Sequence, residues 1–190
     1  LAGAFLQALP ICQARGGVSP VDALFTSTSA VCVTGLTVVN TSEFNLLGQT
    51  VVLTLIQLGG LGIMTLTSSI ILFIRGQMNL DEQLLLSNVN SVFSVHEMEK
   101  VLYTIVIYTS VVELVGAACL FPTYLFDGRF GFLHSVYLAI FHSISAFCNA
   151  GFSTFDENLV GSSSYVKIVI SLLIVMGGLG YYVIYDLWRH

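Results

Sequence analysis

The stretch SAVCVTGL at residues 29–36 occurs a second time, with changes, as SAFCNAGF at residues 145–152. Ser, Ala, Cys and Gly keep the same spacing in both copies, although the residues between them differ. Each copy lies in the second half of an apolar segment, at residues 22–39 and 134–154, and Ser, Thr, His or Asn interrupt the apolar pattern there. Self-similarity within one chain indicates that a structural unit is repeated. The two copies therefore predict two similar units in one fold.

The composition around these copies is that of a membrane protein. Of the 190 residues, 55% are hydrophobic and only 9% are charged, whereas soluble domains carry about 25% charged residues. Residues 44–74 contain no Asp, Glu, Lys or Arg, and about 20 apolar residues suffice to cross the hydrocarbon of a bilayer. The net charge of −5 includes no basic stripe, so the sequence gives no support for nucleic-acid binding.

Hydropathy predicts an all-α protein with several membrane spans. The expected spans are the tail of one helix at residues 1–9 and full helices at residues 48–74, 101–125 and 166–187. The opening LAGAFLQALP lacks the charged flank of a signal peptide, so we expect the chain to begin inside a helix of a longer protein. The four cysteines show no CxxC spacing, which predicts buried free thiols.

Two apolar segments are too short to cross the membrane. Their helical parts, expected at residues 21–30 and 134–146, have about 10–13 residues and would extend about 15–20 Å, half a bilayer. Ser19 and Pro20 form a helix start signal before the first of them. Non-helical backbone at membrane depth is tolerated only where protein buries it or a water-filled cavity meets it. We therefore expect two re-entrant segments beside a polar cavity.

The repeat divides the chain into two units. A shift of 116 residues gives seven identities in the thirteen positions from Ala23 to Gly35, and a shift of 118 pairs the GGLG at residues 59–62 with that at residues 177–180. We expect one unit at residues 1–74, with its first helix truncated, and a second at residues 101–190. The polar residues 75–100 would join them, as a plain cytoplasmic connector or with an amphipathic surface helix in the middle. Each unit contributes two spans, so the repeats run parallel.

The residues after each short helix are candidates for binding a cation through backbone carbonyls. A potassium filter replaces the hydration shell of the ion with rings of carbonyl oxygens, and Gly permits the backbone to bend there. The side chains around Gly35 and Gly151 differ while the glycines are kept, as expected if side chains do not touch the ion. The candidate ion-binding residues are Val33, Thr34, Gly35, Leu36, Asn149, Ala150, Gly151 and Phe152.

These motifs together resemble the Trk/Ktr/HKT superfamily of potassium transporters. The similar stretches are DALFTSTSAVCVTGLTVVNTSEFNLLGQ at residues 22–49, LIQLGGLGIMT at residues 55–65 and SAFCNAGFSTFDENL at residues 145–159. The superfamily includes Ktr-type membrane subunits, some described as subunit J of V-type sodium ATPases. In it, four helix–pore loop–helix units surround one ion path, so the resemblance implies that this chain holds two of four units. Gly35 and Gly151 would be the first two filter glycines.

The resemblance also implies a function and partners. Members that prefer sodium have Ser at the position of Gly35, so the glycine favours K⁺ as the transported ion. The family places a gating loop in its third unit, forms homodimers and binds a cytosolic nucleotide-binding regulatory subunit. We expect a multi-pass protein of the bacterial inner (plasma) membrane, without a covalently bound cofactor. A sodium-conducting or Na⁺/K⁺ transporter of the same superfamily and a non-conducting membrane anchor subunit remain alternatives. An enzyme is not expected, because only Glu113 and Asp186 offer titratable groups at membrane depth.

A few single residues allow two interpretations. Glu113 lies in the middle of a predicted span and marks either a functional site or a packing contact with a Tyr or Ser of a neighbouring helix. His142 is expected to pack a helix, and Cys32 and Cys148 to be small packing residues beside the two loops. The GGLG glycines permit close helix packing or bending near a gate. They are Gly59, Gly60, Gly62, Gly177, Gly178 and Gly180.

Overall fold

The structure is a computed structural model that describes residues 18–78 and 95–189. Within these two ranges the regular structure is entirely helical, as the sequence predicts. Five α-helices and one short 3₁₀ helix follow one another along the described chain. They are α1 (Pro20–Val31), the 3₁₀ helix (Thr41–Glu43), α2 (Leu46–Met78), α3 (Val95–Phe126), α4 (Phe132–Phe147) and α5 (Ser164–Arg189).

Two of the helices are long and apolar enough to cross a membrane. The apolar stretches are Leu46–Ile63 in α2, with 18 residues, and Tyr103–Phe126 in α3, with 24 residues. α4 and the part Ser164–Leu179 of α5 are apolar but shorter. The observed α1 and α4 agree with the two predicted short helices to within two residues at each end. The chain thus combines long apolar helices with short ones, as membrane proteins with re-entrant segments do.

Both ends of the predicted connector are helical in the structure. α2 continues to Met78 and α3 begins at Val95, so the outer parts of residues 75–100 are helical. Proline is absent from residues 75–100, and polar residues are compatible with a helix that continues beyond the apolar span. The rest of the connector, the predicted span at residues 1–9 and Cys12 lie outside the described residues.

The start of α1 follows the predicted signal. Ser19 is the N-cap, and its hydroxyl accepts a hydrogen bond from the backbone N–H of Asp22 at 3.2 Å. Pro20 is the first helical residue, where its missing N–H costs no hydrogen bond. Asp22 lies in the first turn, where a carboxylate is favoured by the helix dipole. The sequence therefore locates this helix start correctly.

Two apolar cores hold the helices together. α1 packs against α2, and α4 packs against α3 and α5. The first core joins the two units, since it includes Ala23 and Ala30 of α1, Val52 and Ile56 of α2, and Phe141 of α4. The second core lies inside the second unit. Large apolar side chains are also exposed on the outside, as expected for surfaces that face lipid or further protein. Examples are Val21, Leu24, Leu114, Val115, Leu172 and Val175.

The cysteines are free thiols, but they are less buried than predicted. Cys119 and Cys148 are half-buried, and Cys32 is exposed. The expectation of a buried thiol is therefore wrong for Cys32. The reason is an asymmetry between the units: the thiol of Cys148 lies against Gly60 of α2, and no comparable helix of the described chain covers Cys32.

Candidate functional site

The two short helices end in the same turn. α1 ends at Cys32 with φ −79° and ψ −3°, and α4 ends at Cys148 with φ −70° and ψ −6°. The next residue has a positive φ in both, +56° at Val33 and +59° at Asn149. This left-handed residue after the helix is the hallmark of a Schellman motif. The turn prefers Gly, so Val33 is an unusual occupant.

The backbone hydrogen bonds of the two turns also match. The N–H of Thr34 donates to the carbonyl of Ser29 at 3.0 Å, and the N–H of Ala150 donates to that of Ser145 at 2.8 Å. The preceding N–H, of Val33 or Asn149, donates to the alanine carbonyl three residues earlier, at 3.3 and 3.0 Å. These are the two bonds of a complete Schellman motif. The sequence repeat is thus also a repeat of backbone geometry.

A second left-handed residue follows in each loop. Gly35 has a φ of +73° and Gly151 a φ of +72°. Thr34 and Ala150, which lie between the two residues of positive φ in each loop, have a negative φ. Loop 32–36 and loop 148–152 therefore share an alternation of negative and positive φ over the same positions. Glycine adopts positive φ at no steric cost, which explains why it is kept at these positions in both copies.

The two loops touch at their glycines. A Cβ built on Gly35 would lie 2.5 Å from the carbonyl oxygen of Ala150 and 3.3 Å from the Cα of Gly151. A Cβ built on Gly151 would lie 3.6 Å from the Cα of Gly35. The carbonyl of Ala150 therefore faces the other loop. The structure brings together the two glycines that the repeat pairs at 116 residues.

Side chains of α1 and α4 form hydrogen bonds with loops 32–36 and 148–152. Ser29 and Thr34 share a hydrogen bond between their hydroxyl oxygens at 2.8 Å. Ser145 donates from its hydroxyl to the carbonyl of Phe152 at 2.6 Å, which turns this carbonyl towards α4. In two pairs of the eight predicted ion-binding residues, Ala150 and Phe152 are buried whereas their counterparts Thr34 and Leu36 are exposed.

His142 ties α4 to the chain beyond the second loop. Its Nδ1 lies 2.8 Å from the carbonyl of Leu138, which can only accept, so Nδ1 carries the proton. The Nε2 lies 3.2 Å from the hydroxyl of Ser153, and the ring stacks on Phe155 with 4.8 Å between centroids. The side chain is buried. These contacts agree with the expectation of a packing histidine.

The ends of the short helices rest on glycines of the long helices. A Cβ on Gly59 would collide with the carbonyl of Val31, the last residue of α1. A Cβ on Gly177 would collide with the carbonyl of Phe147, the last residue of α4. A Cβ built on Gly60 would lie 2.5 Å from the Sγ of Cys148, and one on Gly178 would lie 4.0 Å from the amide nitrogen of Asn149. A Cβ on Gly62 would have no neighbour within 4 Å among the described residues. The surroundings of Gly180 lie outside the described side chains.

Glu113 is buried next to the second loop, and its partner is not the predicted Tyr or Ser. Gln57 of α2 donates from its amide to Oε2 of Glu113 at 3.0 Å. The Sγ of Cys148 lies 3.9 Å from both Oε1 of Glu113 and Oε1 of Gln57. Ser143 does bind Glu113, but through the backbone carbonyl, at 2.7 Å. The sequence analysis did not single out Gln57, although an amide inside an apolar span is the signal that could have found it.

A cavity with acidic walls opens beyond the second loop. Its volume is about 770 Å³, and Asp127, Asp156 and Glu157 are among its lining residues, with Arg129. Arg129 donates to both carboxylate oxygens of Asp127, at 2.9 and 2.6 Å, and these hydrogen bonds lower the pKa of Asp127. Ser42, which follows the first loop, donates to Asp156. In the part of the chain that the structure describes, no group of three His, Cys, Asp or Glu side chains is placed to hold a metal ion.

The family of the chain follows from its match to known proteins. Residues 8–189 match the TrkH family, described as cation transport proteins. The chain belongs to this family. The resemblance drawn from the repeated loops and the GGLG motifs is therefore confirmed.

Named relatives of this TrkH chain are uptake proteins. It is 36% identical to the potassium/sodium uptake protein NtpJ of Enterococcus hirae over 194 residues, which cover 100% of the chain and 42% of the relative. It is 37% identical to the Ktr system potassium uptake protein B of Bacillus subtilis, with 99% of the chain and 42% of the relative covered. The protein of the same name from Vibrio alginolyticus is 36% identical, with 100% and 42% covered. The TrkH chain thus spans about two fifths of the length of these relatives.

Proposed function

We propose that this chain forms two of the four pore units of a potassium uptake protein, and that loops 32–36 and 148–152 line its ion path. The observation that carries the proposal is the matched backbone of the two loops, with alternating φ and contact between Gly35 and Gly151. An extended strand points successive carbonyls to opposite sides. Alternation of negative and positive φ instead turns successive carbonyls to one side and successive N–H groups to the other. Such a backbone suits a row of carbonyl ligands for a dehydrated cation.

The ligands in this proposal come from the middle of each loop. The carbonyl of Ala150 lies against Gly35 of the neighbouring loop, so the two loops meet at the middle of the candidate site. Residues 33–35 and 149–151 carry the alternating backbone. Leu36 and Phe152 end the candidate site, and the carbonyl of Phe152 would bind an ion only through its second lone pair, because Ser145 occupies the first. No side-chain ligand is required.

Potassium is the proposed substrate for two reasons. Three relatives that the chain matches over nearly its whole length carry potassium uptake in their names. Gly35 stands where sodium-preferring members of the superfamily have Ser. Sodium is the rival substrate, since one relative is named a potassium/sodium uptake protein. The acidic cavity beyond the second loop would raise the local cation concentration.

The remaining parts of the proposal concern the whole protein. We propose that units one and two lie at residues 1–74 and 101–190, parallel to each other, and that the intact protein crosses the bacterial plasma membrane several times. Homodimer formation and a cytosolic nucleotide-binding regulatory subunit rest on the resemblance. Isolation of the intact protein from its own membrane, followed by mass determination of the complex, tests both partners.

The substrate is tested by uptake of K⁺ and Na⁺ into cells that lack their own potassium transporters. The intact protein that contains this chain is compared with its Gly35→Ser variant. We expect the variant to lose K⁺ uptake and to shift the K⁺/Na⁺ ratio towards Na⁺ by about tenfold, because a side chain at φ +73° moves the carbonyls. The matched control is Gly131→Ser, since Gly131 caps α4 at φ −72° in open space.

The alternatives give different results in the same assay. Higher Na⁺ than K⁺ uptake by the unaltered protein would identify a sodium-conducting member. Uptake at the background level, with the protein present in the membrane, would indicate a non-conducting anchor. If Gly35→Ser changed neither rate nor ratio, the ion path would not pass loop 32–36.

A further inference from the structure

A buried polar cluster lies directly behind the second loop. It consists of Glu113 of α3, Gln57 of α2 and Cys148, the residue that ends α4 and begins loop 148–152. We propose that Glu113 is a positioning residue that sets the place of loop 148–152 through Gln57 and Cys148, and thereby controls which cation the protein accepts. This inference rests on the proposed function, because it assigns a role in ion selection to a residue that touches no ion.

The contacts connect three elements at one point. The amide of Gln57 donates to the carboxylate at 3.0 Å, which leaves the carbonyl oxygen of that amide on the side of the Cys148 thiol, 3.9 Å away. The same thiol lies 3.9 Å from the other carboxylate oxygen. Gly60, three residues after Gln57, leaves room for this thiol, since a Cβ there would lie 2.5 Å from Sγ. The carboxylate, the amide and the thiol thus fix the first residue of the loop against two long helices.

Within the described chain, the cluster is seen at the second loop. Under the shift of 118 residues that pairs the GGLG motifs, the counterpart of Gln57 is Val175, which is exposed and has no amide. Cys32, the counterpart of Cys148, is exposed as well. The counterpart of Glu113 under the shift of 116 residues would lie before residue 1, so the described chain shows such a cluster at loop 148–152.

Because the cluster is buried, the loss of one of its side chains is costly. A carboxylate away from water is costly unless it accepts hydrogen bonds, and a bond to a charged group is stronger than one between neutral groups. Removal of either Glu113 or Gln57 leaves the other without its partner. Asn149, Ala150 and Gly151 follow Cys148 directly, so a displaced Cys148 moves the candidate carbonyl ligands. Cation selection depends on the number and placement of such carbonyls.

Substitutions at Glu113 and Gln57 test the positioning role in the intact protein. Glu113→Leu and Gln57→Leu each remove one partner, and we expect each to lower the K⁺/Na⁺ uptake ratio by about tenfold at equal amounts of protein in the membrane. Glu113→Gln keeps an accepting oxygen and should stay within about threefold of the unaltered ratio. In the double variant Glu113→Gln with Gln57→Glu the amide and the carboxylate exchange places, and the ratio should again stay within about threefold of the unaltered one.

Ser143→Ala serves as the matched control. It removes a buried hydrogen bond between the same two helices, α3 and α4, but leaves the carboxylate cluster intact. We expect lower thermal stability and an unchanged K⁺/Na⁺ ratio. If Ser143→Ala and Glu113→Leu changed the ratio equally, the role of Glu113 would be helix packing alone. If Glu113→Gln lowered the ratio as much as Glu113→Leu, a role of the charge itself would replace the positioning role.

The uptake experiments distinguish a failure of the positioning role of Glu113 from a failure of the proposed ion path. An effect of Gly35→Ser on the ratio, with none of Glu113→Leu or Gln57→Leu, overturns the positioning role and leaves the ion path in place. Should Glu113→Leu fail to reach the membrane, the exchanged pair decides the question, because it keeps one carboxylate and one amide in the protein interior, each as the partner of the other.

Discussion

Val33 has a backbone conformation that is unusual for its residue type. Its φ is +56°, a left-handed conformation that costs a non-glycine residue about 1–2 kcal/mol and is rare for β-branched side chains. Asn149, at the matching position, has a side chain that tolerates this conformation. Strained residues persist where the surrounding structure determines them, often at functional sites. Here the Schellman hydrogen bonds of Ser29 and Ala30 impose the conformation.

Exchange of side chains between the matching positions measures this strain. We expect Val33→Asn to raise the free energy of unfolding by about 1 kcal/mol, and Asn149→Val to lower it by a similar amount. Thermal unfolding of the purified intact protein in detergent gives both values. Equal losses from both substitutions would mean that side-chain packing, and not the backbone, decides the preference at position 33.

The two loop glycines differ in how much space surrounds them. A Cβ on Gly35 would meet backbone at 2.5 Å, whereas a Cβ on Gly151 would have 3.6 Å to its nearest neighbour. We therefore expect Gly35→Ala to reduce the initial rate of K⁺ uptake by at least about tenfold, and Gly151→Ala by about two- to threefold, from backbone strain alone. Uptake rates at matched protein amounts check the order. A larger effect of Gly151→Ala would contradict the observed contact between the loops.

At the scale of elements, each short helix ends against a glycine of a long helix. The carbonyl of Val31 lies against Gly59 of α2, and the carbonyl of Phe147 lies against Gly177 of α5. The sequence left open whether the GGLG glycines pack helices or bend them. The close approach of backbone to backbone supports packing for these two, whereas a Cβ on Gly62 would meet no described residue within 4 Å. One motif thus contains glycines in different surroundings.

Alanine substitutions along α2 separate these surroundings. We expect Gly59→Ala to lower the free energy of unfolding by about 1–3 kcal/mol, because the added methyl group has to displace the end of α1. Gly62→Ala, three residues away, should raise it by about 0.5–1 kcal/mol through the better helix propensity of Ala. Thermal unfolding of the two variants measures both changes in the free energy of unfolding. A stabilising Gly59→Ala would contradict the packing role of Gly59.

At the scale of the whole molecule, the described chain leaves apolar and reactive groups uncovered. Cys148 is shielded by Gly60 of the other unit, whereas Cys32 is exposed. If four similar units surround one path, a helix of a further unit would cover Cys32 as α2 covers Cys148. The exposed thiol is then a marker of the missing neighbour.

Thiol labelling tests this arrangement in the intact protein. With Cys12 and Cys119 replaced by Ser, we expect Cys32 and Cys148 to react slowly and at similar rates with a membrane-permeant maleimide, and to react fully after denaturation. Cys32 serves as the probe and Cys148 as the internal control, since its shield is present in the described chain. Rapid labelling of Cys32 alone would show that no further unit covers it.

The sequence predicted well what depends on neighbouring residues and on hydropathy. The all-helical fold, the short helices and the start of α1 at Ser19 follow from local patterns, because capping and apolar length act within a few residues. The pairing of Gly35 with Gly151 followed from the repeat. Gln57 was missed and the partner of Glu113 was wrong, because side chains 56 positions apart meet only through helix packing.

The sequence by itself determined a helical membrane protein of the TrkH family with a repeated loop, because composition, periodicity and motif spacing are properties of the chain alone. Only the tertiary structure decided which groups of the two loops meet, which glycines have backbone against them and which partner Glu113 has. The physical reason is that hydrogen bonds and contacts across helices depend on distances in space, which residues far apart in the chain acquire only after packing.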